Sequence, residues 1–181
     1  MSLAASLPVR LPYAAVALAI GAADQAAKAW AVRALPQEPP LEVIPGLFRL
    51  VLVRNRGALF GMFQGLGEPL RMLFFVALPA VVIAALCWLA WRTPPVERRA
   101  HVAYALLLGG ALGNLIDRLR LGHVIDFLDF YVTGPSGGAY HWPAFNLADA
   151  CICAGIALLA LESWRPRPAA GQGEEHAPDS A

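Results

Sequence analysis

The chain has 181 residues, of which 58% are hydrophobic and 15% are charged, and its mean hydropathy is +0.54. This composition is too apolar for an ordinary water-soluble domain. The net charge of +1 gives no basic excess for nucleic-acid binding, and the four histidines lack the spacing of metal ligands, so we expect neither nucleic acid nor a metal or other cofactor.

Four apolar segments approach the length of about 20 residues that a helix needs to cross a bilayer. These predicted spans are residues 11–32, 72–91, 100–116 and 144–161. The first span also resembles a cleavable signal peptide. We interpret it as a retained anchor, because its apolar character resumes after Lys28 and three more segments follow. Pro79 lies in the middle of the second span and is expected to kink it.

Two long connections separate the spans, at residues 33–70 and 117–143. Early in the first, Pro36, Pro39, Pro40 and Pro45 oppose a helix, whereas residues 47–53 are rich in leucine and valine and predict a strand. Turn residues follow at 55–61. Residues 165–181 are rich in Pro, Gly and Glu and predict a disordered tail, which leaves a single membrane domain at residues 1–164.

An even number of spans places both termini on one side of the membrane and both long connections on the other. The polar residues near the span ends therefore converge at one membrane face; they are Asp24, Asn55, Asn114, Asp126 and Asp149. The short link at residues 92–99 carries three arginines, which favours a cytoplasmic location for the termini, although a raw count of arginines does not.

Asp126 and Asp149 lie in apolar stretches, where an isolated carboxylate costs at least a few kcal/mol and marks a candidate functional site. Because they come from different segments, they can form a pair that shares one proton. The ionised carboxylate would then activate water, and the neutral one would protonate a carbonyl oxygen. This chemistry suits peptide hydrolysis. The same carboxylates also suit a proton relay in a small proton-coupled carrier, so both functions stay open.

Other polar residues have the spacing of helix neighbours. Asp24 and Lys28 are spaced i, i+4, which predicts an ion pair that makes each charge tolerable in the membrane and can brace the site. Asn114 and Arg118 have the same spacing. Arg118 either pairs with the neighbouring Asp117 at the helix end or extends to a lipid phosphate or a substrate carbonyl.

Two further patterns concern helix faces. Asn146 precedes Asp149 by three residues, so both lie on one face of the fourth span. Gly109 and Gly113 form a GxxxG pattern, which favours close helix packing inside the bundle, with a dimer interface as the alternative. A non-catalytic assembly factor that uses this packing is a third functional hypothesis, although it has no use for two buried aspartates.

Four sequence blocks, in this order, resemble the lipoprotein signal peptidases, the bacterial signal peptidase II family. The blocks are residues 24–28 (DQAAK), 55–61 (NRGALFG), 109–118 (GGALGNLIDR), and 124–129 (VIDFLD) together with 145–149 (FNLAD). Any one block is weak evidence, but all of them in this order are specific. Two departures are visible: Ala27 stands where the family commonly has a hydroxyl residue, and Leu59 where it usually has a small one.

The resemblance implies a mainly α-helical membrane protein, with a bundle of four transmembrane helices, a small periplasmic β-sheet and a short periplasmic helix. It implies an aspartic endopeptidase of the bacterial inner membrane that cuts prolipoproteins just before a diacylglyceryl-modified cysteine. Both termini would be cytoplasmic, and the active site would lie near the periplasmic face.

The resemblance also implies roles for individual residues. Asp126 and Asp149 would be the catalytic pair. The residues that would bind substrate or support the site are Asn114, Arg118, Asn55, Gly57, Asn146, Asp24, Lys28 and Asp117. No cofactor is implied, and we expect a monomer in contact with membrane lipid to be sufficient.

Overall fold

The computed structural model describes residues 3–36, 39–57, 67–135 and 137–164. The elements, in chain order, are α1 (Leu3–Ala34), β1 (Leu41–Ile44), β2 (Phe48–Asn55), α2 (Glu68–Met72), α3 (Leu78–Arg92), α4 (Arg98–Leu121), β3 (Val124–Thr133), β4 (Ala139–His141) and α5 (Leu147–Ser163). A π-helical segment, Leu73–Ala77, joins α2 to α3. The departure at Leu59 and the predicted tail at 165–181 lie outside the described residues.

The structure is mainly helical with one small antiparallel sheet, as the sequence predicts. Within the described residues, two helices are long and apolar enough to cross a membrane: Leu73–Arg92, with a mean hydropathy of 2.6, and Arg98–Leu121, with 1.3. No residue of α3 is buried, although nearly all of them are apolar. A helix that is apolar all round and yet exposed is typical of a lipid-facing segment.

The irregularity expected at Pro79 appears as a π-helical turn. Proline has no N–H, so it cannot donate to the carbonyl of the preceding helical turn. The segment Leu73–Ala77 widens to a π-helix, and Pro79 then falls in the first turn of α3, where a missing N–H costs least.

Helix α4 packs between α1 and α5, and glycines allow the close approach. A Cβ atom at Gly109 would lie 2.7 Å from the Ala17 carbonyl oxygen and from Ile20 of α1. A Cβ atom at Gly110 would collide with the backbone of Ala148 in α5. The predicted close packing around the GxxxG pattern is therefore confirmed within the bundle.

Helix α5 begins at Leu147, three residues after the predicted start of the fourth span at residue 144. Phe145 instead forms an isolated antiparallel bridge with Leu128 of β3. Asn146 caps α5, because its side chain accepts a hydrogen bond from the Asp149 N–H and the Asp149 carboxylate accepts one from the Asn146 N–H. This capping box starts the helix and fixes the orientation of Asp149.

The four strands form one antiparallel sheet in the order β1-β2-β3-β4. The predicted strand at residues 47–53 corresponds to β2, whereas β3 was not predicted. The register of β2 on β3 places Asn55 opposite Val124 and Arg54 opposite Ile125. The turn from α4 into β3 requires Gly122, whose φ of 72° is in the left-handed region.

The sheet is attached to the end of α1 by a small apolar core. Ala31 of α1 and Leu35, directly after α1, pack with Phe127 of β3, and all three are buried. The sheet therefore lies at the end of the bundle where α1 and α4 finish and α5 begins.

Candidate active site

A buried cluster of three charged residues, the Lys28 cluster, joins α1 to α4. Lys28 Nζ lies 2.8 Å from Asp24 Oδ2 and 2.9 Å from Asp117 Oδ2. All three residues are buried. Two buried carboxylates next to one another require a compensating cation, because an unpaired buried charge is strongly destabilising. The predicted pair of Asp24 and Lys28 is confirmed, whereas Asp117 pairs with Lys28 and not with Arg118.

Both carboxylates of this cluster also accept backbone hydrogen bonds. Asp24 Oδ1 accepts from the Ala148 N–H at 3.0 Å, and Asp117 Oδ2 accepts from the Ile125 N–H at 3.1 Å. Ala148 directly precedes Asp149, and Ile125 directly precedes Asp126. The Lys28 cluster therefore fixes the backbone of both segments that carry the candidate catalytic carboxylates.

Asn114 connects the Lys28 cluster to Asp149. Its Oδ1 accepts from Lys28 Nζ at 2.9 Å, and its Nδ2 donates to Asp149 Oδ1 at 2.7 Å. An ammonium group can only donate, so it fixes which end of the amide faces it. The amide nitrogen must then face the carboxylate.

Asn146 contacts both candidate carboxyl groups. Its Nδ2 donates to Asp126 Oδ1 at 2.7 Å, and its backbone N–H donates to Asp149 Oδ2 at 3.2 Å. The same Nδ2 lies 3.1 Å from Asn114 Oδ1. Asn146 is fully buried, so it serves as a rigid link between the two aspartates.

Asn55, at the end of β2, supplies the second hydrogen bond to Asp126. Its Nδ2 donates to Asp126 Oδ2 at 3.0 Å, and its Oδ1 accepts from the Gly57 N–H at 3.1 Å. The turn after β2 thus orients the amide that contacts Asp126.

Burial raises the pKa of Asp126 to about 6, and the negative charge of Asp149 adds to this effect. The hydrogen bonds from Asn55 and Asn146, with the positive charge of Lys28, act in the opposite direction. Desolvation is the largest cause, so the pKa is raised overall. Asp126 is therefore able to exchange a proton near neutral pH.

Asp126 and Asp149 line the same cavity, which has a volume of about 590 Å³ and is called the site cavity here. Its outer wall is the chain before α5, including Trp142 and Phe145. Arg118 lines the cavity as well, and its guanidinium lies 5.6 Å from the ring centre of Phe75.

A second, apolar groove of about 330 Å³ lies between α3, α4 and α5. Leu78, Val82 and Ile152 line it, and it shares Ile152, Arg118 and Asp149 with the site cavity. The two spaces therefore meet beside the carboxylates.

The structure thus brings together all ten residues predicted for the site. Asp126, Asp149, Asn55, Gly57 and Arg118 line the cavity. The others lie behind it in the hydrogen-bonded network; they are Asn114, Asn146, Asp24, Lys28 and Asp117.

Sequence reasoning missed Gln25, whose Nε2 donates to Asp117 Oδ1 at 2.8 Å and to the Gly113 carbonyl oxygen at 3.1 Å. A polar residue next to Asp24 in an apolar helix was the available signal. Across the described ranges, no three His, Cys, Asp or Glu side chains are grouped as metal ligands.

Comparison with known proteins gives a family match over most of the chain. The family model described as signal peptidase (SPase) II matches residues 16–165. A protein of Syntrophotalea carbinolica named lipoprotein signal peptidase is 42% identical and covers 83% of this chain and 89% of its own length. One of Xylella fastidiosa with the same name is 41% identical and covers 89% of this chain and 95% of its own length.

Solved structures give a similar result. One described as a bacterial membrane enzyme superposes with a TM-score of 0.74 at 27% identity, and covers 91% of this chain and 94% of its own. A second with the same description has a TM-score of 0.72 at 28% identity, and covers 86% of this chain and 94% of its own.

Proposed function

The chain belongs to the signal peptidase II family and is an aspartic peptidase that removes signal peptides from prolipoproteins, and we propose that Asp126 and Asp149 are its catalytic pair. The observation that carries this proposal is Asn146, a buried side chain that donates to Asp126 while its backbone N–H donates to Asp149. Both carboxyl groups also line one cavity, as groups that act on one water molecule must.

The reaction needs one ionised and one protonated carboxyl group. The ionised carboxylate takes a proton from water, and the water oxygen attacks the carbonyl carbon of the scissile bond. The protonated carboxyl group donates to the carbonyl oxygen, and the tetrahedral intermediate then breaks its C–N bond as the nitrogen is protonated. The pKa of about 6 for Asp126 supports a proton held at this pair.

The cut site that we propose is the bond just before a diacylglyceryl-modified cysteine. The groove lined by Leu78, Val82 and Ile152 is apolar and opens into the site cavity, so it can hold an acyl chain while the peptide lies against the carboxylates. Binding the lipid at a fixed depth would orient the scissile bond before the chemical step. Arg118, where the two spaces meet, is placed to donate to a substrate carbonyl.

We further propose four membrane spans in the bacterial inner membrane, with cytoplasmic termini and the site near the periplasmic face. The site, the sheet and the beginning of α5 all lie at one end of the bundle, which supports this arrangement. Reporter fusions at the two termini and at Gly138 would test it, because opposite-side signals are expected from the loop and the termini. A monomer remains our prediction for the active form.

The proton-coupled carrier is not favoured. A transport path needs polar groups across the full depth of the membrane, whereas residues 73–91 contain no charged side chain. The polar network described above occupies one end of the bundle only.

Purified protein incubated with a lipidated precursor tests the catalytic pair, with product masses as the readout. Asp126→Asn and Asp149→Asn should abolish cleavage while the protein still inserts and folds. Asp129→Asn is the matched control, because Asp129 is a buried carboxylate of the same strand that pairs with Arg49 at 2.7 Å and does not line the site cavity. This control should cleave normally.

An unlipidated precursor, run in parallel, tests the requirement for lipid and should stay intact. Cleavage at the wild-type rate by either Asp126→Asn or Asp149→Asn would overturn the assignment of the pair. Cleavage of both precursors at equal rates would overturn only the proposed role of the lipid.

A further inference from the structure

A separate cavity, called the rear cavity here, has a volume of about 490 Å³ and lies at the same end of the bundle as the active site. It is formed by the end of α1, the end of α4 and strands β2 and β3. It shares none of the residues that line the site cavity.

The strand register explains why the two cavities are separate. Asn55 pairs with Val124 and Arg54 pairs with Ile125 in the β2–β3 ladder. Successive side chains point to opposite faces of a sheet. Asn55 and Asp126 therefore face the site cavity, whereas Arg54 and Ile125 face the rear cavity.

Three arginines from three different elements surround the rear cavity: Arg33 follows α1's apolar stretch, Arg54 lies on β2 and Arg120 is near the end of α4. All three are exposed. Within the described ranges none of the three has an ion pair or a side-chain hydrogen bond. By contrast, Arg49 pairs with Asp129 and Arg99 pairs with Glu162. Three unpaired cations around one concavity create a strongly positive potential that attracts an anion.

The walls between these arginines are apolar and include Ala29, Val32 and Leu121. Apolar walls with a rim of guanidinium groups suit an amphiphile whose head is a phosphate, since arginine binds phosphate oxygens in a bidentate manner. The cavity lies where two helices of the proposed bundle end, which is the depth of lipid headgroups. We propose that the rear cavity binds the headgroup of an anionic phospholipid.

This inference depends on the proposed membrane setting but not on the catalytic pair. The inner wall of the rear cavity includes Lys28 and Asp117, and Asp117 holds the Ile125 N–H beside Asp126. A lipid bound here would therefore contact the reverse side of the structure that positions Asp126. Such a ligand stabilises the folded protein by an amount that grows with the logarithm of its concentration relative to its Kd.

Binding is measured on the full chain, purified in neutral detergent and mixed with equal amounts of phosphatidylglycerol and phosphatidylcholine. Native mass spectrometry then counts the lipids retained. The wild type should retain phosphatidylglycerol in preference to phosphatidylcholine. The double variant Arg54→Gln, Arg120→Gln should lose this preference by about tenfold, as expected for the loss of charge-assisted contacts to a phosphate.

The matched control is Arg98→Gln, Arg99→Gln, which removes the same charge at the opposite end of α4. It should keep the preference for phosphatidylglycerol. If both double variants lose the preference equally, the attraction is non-specific and the proposal fails. It also fails if Arg54→Gln, Arg120→Gln binds phosphatidylglycerol as the wild type does. If that variant does not fold, the exposed Arg33→Gln replaces it, with the same expected loss of preference.

Soluble anions distinguish a lipid headgroup from a free phosphate. Thermal unfolding is measured with phosphatidylglycerol, with inorganic phosphate and with glycerol phosphate. A rise in the unfolding midpoint with phosphatidylglycerol alone supports the lipid site, whereas an equal rise with inorganic phosphate or with glycerol phosphate overturns it. Because neither readout uses cleavage, failure here leaves the catalytic assignment unaffected.

Discussion

Replacing Asp126 by asparagine should change how the stability of the protein depends on pH, in addition to abolishing cleavage. The pKa of Asp126 is about 6 in the folded protein, against 3.8 for an ordinary aspartate. Each pKa unit corresponds to 1.36 kcal/mol, so the folded state carries a penalty of about 3 kcal/mol once this carboxyl group is ionised.

The sign of the effect follows from proton binding. A carboxyl group with a raised pKa binds its proton more tightly in the folded than in the unfolded state, so the free energy of unfolding falls as pH rises. The penalty is absent below about pH 4, grows through the interval up to about pH 6 and is complete above it. Asparagine does not titrate, so the variant lacks this loss.

A second contribution is independent of pH. The Asp126 carboxylate accepts hydrogen bonds from both Asn55 and Asn146, and an asparagine has only one acceptor oxygen. The variant therefore leaves one amide donor facing another, at a cost of about 1–3 kcal/mol. The difference between variant and wild type, followed across pH, separates the two contributions.

Thermal unfolding in detergent between about pH 4 and pH 7.5 measures this difference. For a chain of this size, about 3 kcal/mol corresponds to roughly 6–12 °C in the unfolding midpoint. The midpoint of Asp126→Asn minus that of the wild type should therefore increase by up to this amount as the pH is raised across this range. Gly138→Ala is the control, because a Cβ atom at Gly138 meets no other atom within 4 Å. Its difference from wild type should be constant. Parallel midpoint curves for wild type and Asp126→Asn would refute a raised pKa at Asp126.

The remaining predictions concern the network behind the site. Lys28→Met leaves two buried carboxylates without their cation and should lower the free energy of unfolding by about 3–5 kcal/mol. Denaturant titration measures this loss, and a loss below about 1 kcal/mol would show that another group compensates the two carboxylates. Gly113→Ala places a Cβ atom 2.5 Å from Asp24 Oδ2 and should destabilise the protein by about 1–3 kcal/mol and slow cleavage. Unchanged stability and cleavage in Gly113→Ala would mean that Asp24 moves without consequence.

Features that depend on local sequence were predicted correctly. The ion pair of Asp24 with Lys28 follows from the 3.6-residue period of a helix, and the packing at Gly109 follows from the absence of a side chain. Strand β2 was recognised by its Leu and Val content. In each case the residues that form the sequence pattern lie within a few positions of one another, so a single sequence contains the information.

The convergence of the polar residues was predicted, but several of the contacts that join distant segments were not. From the sequence, Asp126 was assigned to a short apolar stretch with no secondary structure. In the structure it lies on β3, a strand that forms by pairing with β2, about 70 residues earlier in the chain. Similarly, one of the two interpretations of Arg118 paired it with Asp117, whereas Asp117 is paired with Lys28, 89 positions earlier in the chain. Charged partners at this separation are chosen by how the helices pack.

The amino-acid sequence by itself determined that this protein has two carboxylates in apolar surroundings, four apolar segments and the blocks of one peptidase family. Only the tertiary structure decided that Asn146 donates to both carboxyl groups and that Asp24 and Asp117 of the Lys28 cluster hold the backbone beside each of them. The physical reason is that composition and periodicity act over one or two helical turns. The hydrogen bonds of the site instead connect five elements, α1, β2, α4, β3 and α5, which meet only when the chain is folded.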